Sequence, residues 1–192
     1  MAAPAELQVI APNPTQAGEV VAFHAAMLAE QFADARAEPE HIQAHVAEMT
    51  SPDGVAAYRR NMERWTSTDG VCHKVVEGEA GVRGLFLAVR AGTEVAGDRR
   101  TSLNEVWVVE MAPELRGTGT ASALMGDFFQ NYADPSRFTR LSVLFANVRA
   151  RTYYGQRWGF TGVDYEATMR VGPSSARALI MSRLPEATRS KA

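Results

Sequence analysis

Apolar residues in the first third of the chain recur every three or four positions. Val20, Val21, Phe23, Met27, Leu28 and Phe32 share one helical face, behind a start signal at Asn13-Pro14-Thr15. A short strand over Glu6–Ile10 precedes them. Pro39 opens a second helix with Ile42, Val46 and Met49 on its apolar side. Ser51-Pro52-Asp53 sets an N-cap before a proline at the first helical position, and Val55, Tyr58, Met62 and Trp65 line the helix that follows. The period then shortens to that of a strand. Val71–Glu77 and Val82–Arg90 read as strands joined by Gly78-Glu79-Ala80-Gly81, with a loop after them through Gly92, Gly97, Asp98 and Arg99. Leu103–Met111 is the strongest strand signal. From Gly117 to Ala133, residues Ala121, Leu124, Met125, Phe128, Phe129 and Tyr132 form an amphipathic stripe that Pro135 stops. Arg140–Ala146 reads as a strand and Ala150–Trp158 as a helix closed by Gly159. Phe160–Glu166 and Ala178–Leu184 are the closing strands, and 186–192 is expected to fray.

This order predicts an α/β (α+β mixed) fold: a central mixed, mostly antiparallel sheet with helices on both faces and one parallel βαβ unit. That unit is strand 103–111, helix 117–133 and strand 140–146. Residues 1–185 are expected to make a single domain, a size that 192 residues support. Hydrophobic residues are 46% and charged residues 22%, which excludes a disordered or fibrous chain. A net charge of -2 gives no overall basic field for nucleic acid, so none is expected as a partner. No apolar run is long enough to span a membrane, and Met1–Glu6 lacks the features of a signal peptide, so no membrane partner is expected. With one cysteine, Cys72, these features place the chain in the cytoplasm. Cys72 itself reads as a half-buried strand thiol, and His24, His41, His45 and His73 have no metal-ligand spacing, so no metal is expected. A homodimer stays open.

Chemistry concentrates where the strongest strand runs into a helix. In Met111-Ala112-Pro113-Glu114-Leu115-Arg116-Gly117-Thr118-Gly119-Thr120-Ala121-Ser122, two glycines let the backbone approach a ligand. The first helical N–H groups have no internal partner and the helix dipole adds positive charge, so a phosphate or pyrophosphate is the expected ligand. A P-loop is excluded because no lysine follows the turn, and the three-glycine dinucleotide fingerprint is absent.

Arg116-Gly117-Thr118-Gly119-Thr120-Ala121 resembles the R/Q-x-x-G-x-G/A signature of the GNAT superfamily of acyl-CoA-dependent N-acetyltransferases. Val109–Leu115 resembles the strand end that precedes that signature. Asn147, Ala150, Tyr154 and Gly159-Phe160 resemble the family's second motif, with one extra residue between Tyr154 and Gly159. The resemblance implies acetyl-CoA as co-substrate and transfer of its acetyl group to a primary amine of a small molecule or peptide, by direct attack in a ternary complex. It implies that backbone N–H groups over Gly117, Thr118, Gly119, Thr120, Ala121 and Ser122 take the pyrophosphate, with Arg116 beside them. Pantetheine would pair with Val109 and Met111, and Asn147 would reach it by its side chain. Tyr154 would protonate the leaving thiolate.

Two acids are candidates for the base. Strict alternation puts Glu105 on one face with Trp107, Val109 and Met111, and Glu110 on the other. Glu105 also falls where the histone-acetyltransferase branch has its catalytic glutamate, so it ranks first and Glu110 second. The resemblance assigns acceptor specificity to Thr15–Trp65 and to the loop Ala167–Arg177. Within the former, Glu30, Asp34, Glu38, Glu40, Glu48 and Asp53 face one base, Arg36; they form either solvated helix faces or the rim of a site for a cationic amine. The same motifs also fit a module that holds acyl-CoA without transferring it, and the turn alone fits an unrelated nucleotide-binding domain.

Overall fold

A computed structural model describes residues 7–96, 99–171 and 174–189. Residues 1–6, Gly97 and Asp98 of the expected loop, and 190–192 of the expected frayed end lie outside them. Strand β1 (Gln8–Ile10) leads to three helices, α1 (Ala17–Asp34), α2 (Pro39–Thr50) and α3 (Pro52–Ser67). The Ser51 hydroxyl accepts the Gly54 N–H at 3.1 Å, the cap expected before Pro52. Strands β2 (Val71–Gly78) and β3 (Gly81–Val89) make a hairpin. A two-stranded ribbon, β4 (Glu94–Ala96) with β5 (Arg99–Arg100), occupies the segment expected as loop. Then come β6 (Asn104–Met111), α4 (Thr120–Asp127), β7 (Thr139–Leu144), α5 (Val148–Trp158), β8 (Phe160–Val171), β9 (Ser174–Arg183) and the single helical turn α6 (Glu186–Arg189). No helix among the described residues is long and apolar enough to cross a membrane.

Seven strands form one sheet in the order β1-β2-β3-β6-β7-β9-β8. Only β6 and β7 run parallel, as the βαβ pattern predicts. One face packs Phe86, Met111, Leu141 and Met181 against Met125 and Phe128 and against Tyr154 of α5. The other packs Val75 and Leu85 against Val20 of α1 and Met62 of α3.

Three departures from the expected pattern bear on the site. The helix expected over 117–133 is α4 followed by a π-helical turn over Phe128–Tyr132, closed by the Ala133 N–H on the Phe128 carbonyl at 2.8 Å. In the widened turn, Phe128 is buried in the core while Phe129 stacks with Trp158 at 5.4 Å. Of the expected loop 167–177, residues 172 and 173 lie outside the described residues and the rest are strand: β8 and β9 stay paired from Ala167↔Ala178 to Val171↔Ser174. The hairpin is held because Ala167, Met169, Ala176 and Ala178 pack against Phe32 and Ile42.

The third departure is a β-bulge. β6 pairs Glu105 with Val89, Val106 with Ala88, Val108 with Leu87 and Glu110 with Leu85, so Trp107 is the extra residue. The bulge resets the alternation. Glu105, Val108 and Glu110 share the face of α1–α3, while Val106, Val109 and Met111 share the opposite one. The parity that separated Glu105 from Glu110 is therefore overturned.

Candidate functional site

β6 and β7 pair only over Asn104↔Thr139, Glu105↔Arg140 and Val106↔Leu141. Beyond Val106 they part, and a cleft of about 540 Å³ opens at their C-terminal ends. The Ala112 N–H donates to Arg83 on the β3 side at 2.8 Å. Backbone direction alternates along a strand, so the N–H groups of Val109 and Met111 point away from β3 toward the gap. Both residues line the cleft.

The signature turn closes one end. Gly117 has φ 86° and Gly119 has φ 95°, left-handed values that glycine adopts without strain. A Cβ on Gly119 would meet nothing within 4 Å, and one on Gly117 would meet only Arg149 Nη2, at 3.9 Å. The turn is therefore open on its ligand side. Among the described residues the N–H groups of Gly117, Gly119, Ala121 and Ser122 find no protein acceptor, since the first α4 bond runs from Ala123 to Gly119. The Thr118 hydroxyl donates to the Leu115 carbonyl at 2.8 Å and sits 2.9 Å from the Thr120 hydroxyl. Thr118 and Thr120 thus brace the turn and do not line the cleft.

Arg116 lines the cleft but its guanidinium is engaged. Nη1 and Nη2 each donate to a Glu30 oxygen at 2.6 Å, and Nε donates to the Met111 carbonyl at 3.1 Å. Hydrogen bonding from Arg116 holds the Glu30 carboxyl below its ordinary value, and Glu30 raises Arg116 in return. This fork clamps α1 to the turn. The cation left facing the turn is Arg149, which lines the cleft with no ion-pair partner among the described residues. Sequence reasoning missed it because it is one arginine among several on α5. Asn147 Oδ1 accepts the Ala150 N–H at 3.0 Å as the N-cap of α5, which leaves its amide N–H groups for the cleft.

Glu110 and Tyr154 both line the cleft. Glu110 is 6% exposed. Its Oε2 lies 2.8 Å from His24 Nδ1 and its Oε1 lies 3.5 Å from Gln31 Nε2. Burial pushes the Glu110 carboxyl up, and His24 and then Gln31 pull it partly back. The Tyr154 hydroxyl has no protein partner among the described residues, and burial pushes its pKa up, with Tyr153 and Glu110 adding to the shift. Tyr153 differs: its hydroxyl is 3.1 Å from Ser122 Oγ and accepts the Trp158 indole N–H at 2.9 Å. α5 closes at Gly159, which takes φ 71° and donates its N–H to the Gly155 carbonyl at 3.2 Å.

Glu105 is not among the residues that line the cleft. Its carboxylate accepts from Arg140 and, at 2.8 Å, from the Trp107 indole N–H. Of the acidic residues in 30–53, Glu30 and Asp34 line the cleft and the others do not. Cys72 is fully buried and its thiol is pushed up to about 12 by burial. Among the described residues no three His, Cys, Asp or Glu side chains gather as a metal-ligand set.

No family model matches the sequence, and neither does any curated protein. Solved structures do match in fold. The PaiA N-acetyltransferase of Thermoplasma acidophilum, in complex with coenzyme A, superposes with a TM-score of 0.61 at 11% identity, over 93% of this chain and 99% of that one. A GNAT-family acetyltransferase of Streptococcus pneumoniae gives 0.60 at 16% identity over 93% and 99%. A GCN5-related N-acetyltransferase of Rhodopseudomonas palustris gives 0.61 at 13% over 96% and 98%. The chain has the fold of the GNAT acetyltransferases.

Proposed function

We propose that this chain, with the fold of the GNAT acetyltransferases, is an acyl-CoA-dependent N-acyltransferase that moves an acetyl group from acetyl-CoA to a primary amine. The observation that carries the reading is the splay of β6 from β7. It joins in one cleft a turn of N–H groups and a strand edge without partners among the described residues, a buried carboxylate, and a hydroxyl likewise without a partner among them. The pyrophosphate of acetyl-CoA lies on the N–H groups of Gly117, Gly119, Ala121 and Ser122, with Arg149 beside it. Pantetheine extends the sheet along Val109 and Met111 and meets the Asn147 amide.

The amine enters from the α1–α3 side, where Glu110 lies. Its nitrogen attacks the thioester carbonyl while Glu110 Oε1 takes its proton. The oxyanion is met by a backbone N–H of Val109 or Met111. The C–S bond then breaks, and Tyr154, kept protonated by burial, gives its proton to the thiolate. We place Glu110, not Glu105, as the base, because Glu110 lines the cleft and Glu105 is tied to Arg140 and Trp107. An acyl-cysteine route finds no support, since Cys72 is buried and protonated at neutral pH. On this reading the acceptor carries positive charge, which Asp34, with no ion-pair partner among the described residues, meets at the cleft wall.

Thiol release from acetyl-CoA with a panel of neutral, anionic and cationic amines tests the proposal. Turnover with cationic amines, with an acceptor KM that rises with salt, is the expected result. Tight CoA binding without release of thiol to any amine would leave a binding module instead.

A further inference from the structure

We infer that His24 is a positioning residue for the base, pinning Oε2 of Glu110 so that Oε1 faces the cleft as an ionised proton acceptor. The inference rests on the acyltransfer reading of this cleft. It starts from the asymmetry of the two carboxylate oxygens. Oε2 is 2.8 Å from His24 Nδ1, a distance that suits a charge-assisted bond to an ionised carboxylate, whereas among the described residues the donor near Oε1 is Gln31 Nε2 at 3.5 Å. With the carboxyl ionised, as a base requires, it accepts and does not donate, and on the inference the proton of this bond sits on Nδ1. One oxygen is therefore held and the other is left for an incoming N–H.

The need for such a partner follows from burial. Glu110 is 6% exposed and lies between the sheet and α1–α3. A carboxyl there favours its neutral form, which cannot accept a proton. Among the described groups around it, Gln31 and His24 come from α1, Tyr58 from α3 and Tyr154 from α5. Of these, His24 alone is a strong donor at short range. The two tyrosines are pushed toward their protonated forms by burial, with the Glu110 charge adding to it, and neither offsets that charge. Further along the cleft, Arg116 is neutralised by Glu30, and Asp34 adds negative charge. His24 reaches Glu110 because it lies one turn before Met27 and two before Gln31, on the cleft side of α1.

His24→Leu removes the donor; His24→Asn offers an amide N–H at a similar distance from the backbone. The pH profile of kcat/KM for the acceptor has an acid limb set by Glu110. In His24→Leu that limb moves to higher pH by about one unit and kcat at neutral pH falls about tenfold, with the acetyl-CoA KM unchanged. In His24→Asn most of the shift is recovered. A His24→Leu protein that keeps its fold by circular dichroism and keeps the wild-type limb overturns the inference.

A second measurement needs no variant of His24. In 13C-glutamate- and 15N-histidine-labelled protein, with Glu110 assigned by Glu110→Gln, His24 Nδ1 carries its proton at neutral pH. The His24 shift steps at the same pH as the Glu110 carboxyl. An unprotonated Nδ1, or a His24 that ignores the Glu110 step, refutes the pairing even if His24→Leu does not fold. Because this titration is read on the free protein, it stands apart from the acceptor screen: absence of any turnover would sink the acyltransfer reading, not the pairing.

Discussion

Tyr153 and Tyr154 are neighbours on α5 whose hydroxyls have opposite surroundings, and removing each hydroxyl separates a scaffold role from a chemical one. The Tyr153 hydroxyl joins Ser122 Oγ at 3.1 Å and Trp158 Nε1 at 2.9 Å, so it ties α5 to the first turn of α4. Tyr153→Phe breaks two hydrogen bonds, each contributing about 0.5–1.5 kcal/mol, and leaves the Trp158 indole N–H without a partner. The expected loss is about 1–3 kcal/mol, or a fall in Tm of roughly 2–12 °C for a chain of this size. Among the described residues the Tyr154 hydroxyl has no protein partner to lose. Tyr154→Phe removes a buried polar atom and should leave Tm within about 2 °C of wild type or raise it. Turnover should order the other way. Loss of a general acid lowers kcat by about 10²–10⁴-fold in Tyr154→Phe, with CoA affinity kept, whereas Tyr153→Phe loses far less. Differential scanning calorimetry, CoA titration and thiol-release kinetics on the same two proteins decide it. A fully active Tyr154→Phe beside a stable but inactive Tyr153→Phe would refute the assignment, and with it the register across the extra residue before Gly159.

Gly119→Val forces a β-branched residue to φ 95° and aims its side chain into the open ligand side of the turn, so CoA affinity by calorimetry should fall about thirtyfold or more, equivalent to about 2 kcal/mol. Thr118→Val, which loosens only the internal brace, should fall less. Arg149→Ala should raise the acetyl-CoA KM about tenfold and flatten its dependence on salt, since it removes a cation beside the turn. Glu110→Gln should lower kcat by about 10²–10⁴-fold, yet stabilise the fold at neutral pH. The sign follows from the raised carboxyl: its contribution is full below the ordinary value of 4.5 and is lost as pH rises through the folded value. Thermal melts across pH should therefore show wild type losing stability above 4.5 relative to Glu110→Gln, and parallel curves would contradict a buried, raised Glu110.

Local signals were legible from residues alone. The two-glycine turn at the helix start and the caps at Ser51 and Gly159 stand where short-range patterns placed them, because each depends on neighbours within four residues. The choice between Glu105 and Glu110 was not legible. It turns on a single extra residue at Trp107, and a bulge leaves no mark on a hydrophobic alternation that simply resumes out of phase. Neither was the fate of Arg116, whose partner Glu30 lies 86 residues away, nor the pairing of His24 with Glu110 across the same separation. Short-range patterns marked the signature turn and the principal strands and helices, but not the β4–β5 ribbon, the length of the β8–β9 hairpin or the π-helical turn. The tertiary structure decided which charges meet, because docking α1 against β6 buries Glu110, captures Arg116 and leaves Arg149 as the cation facing the turn.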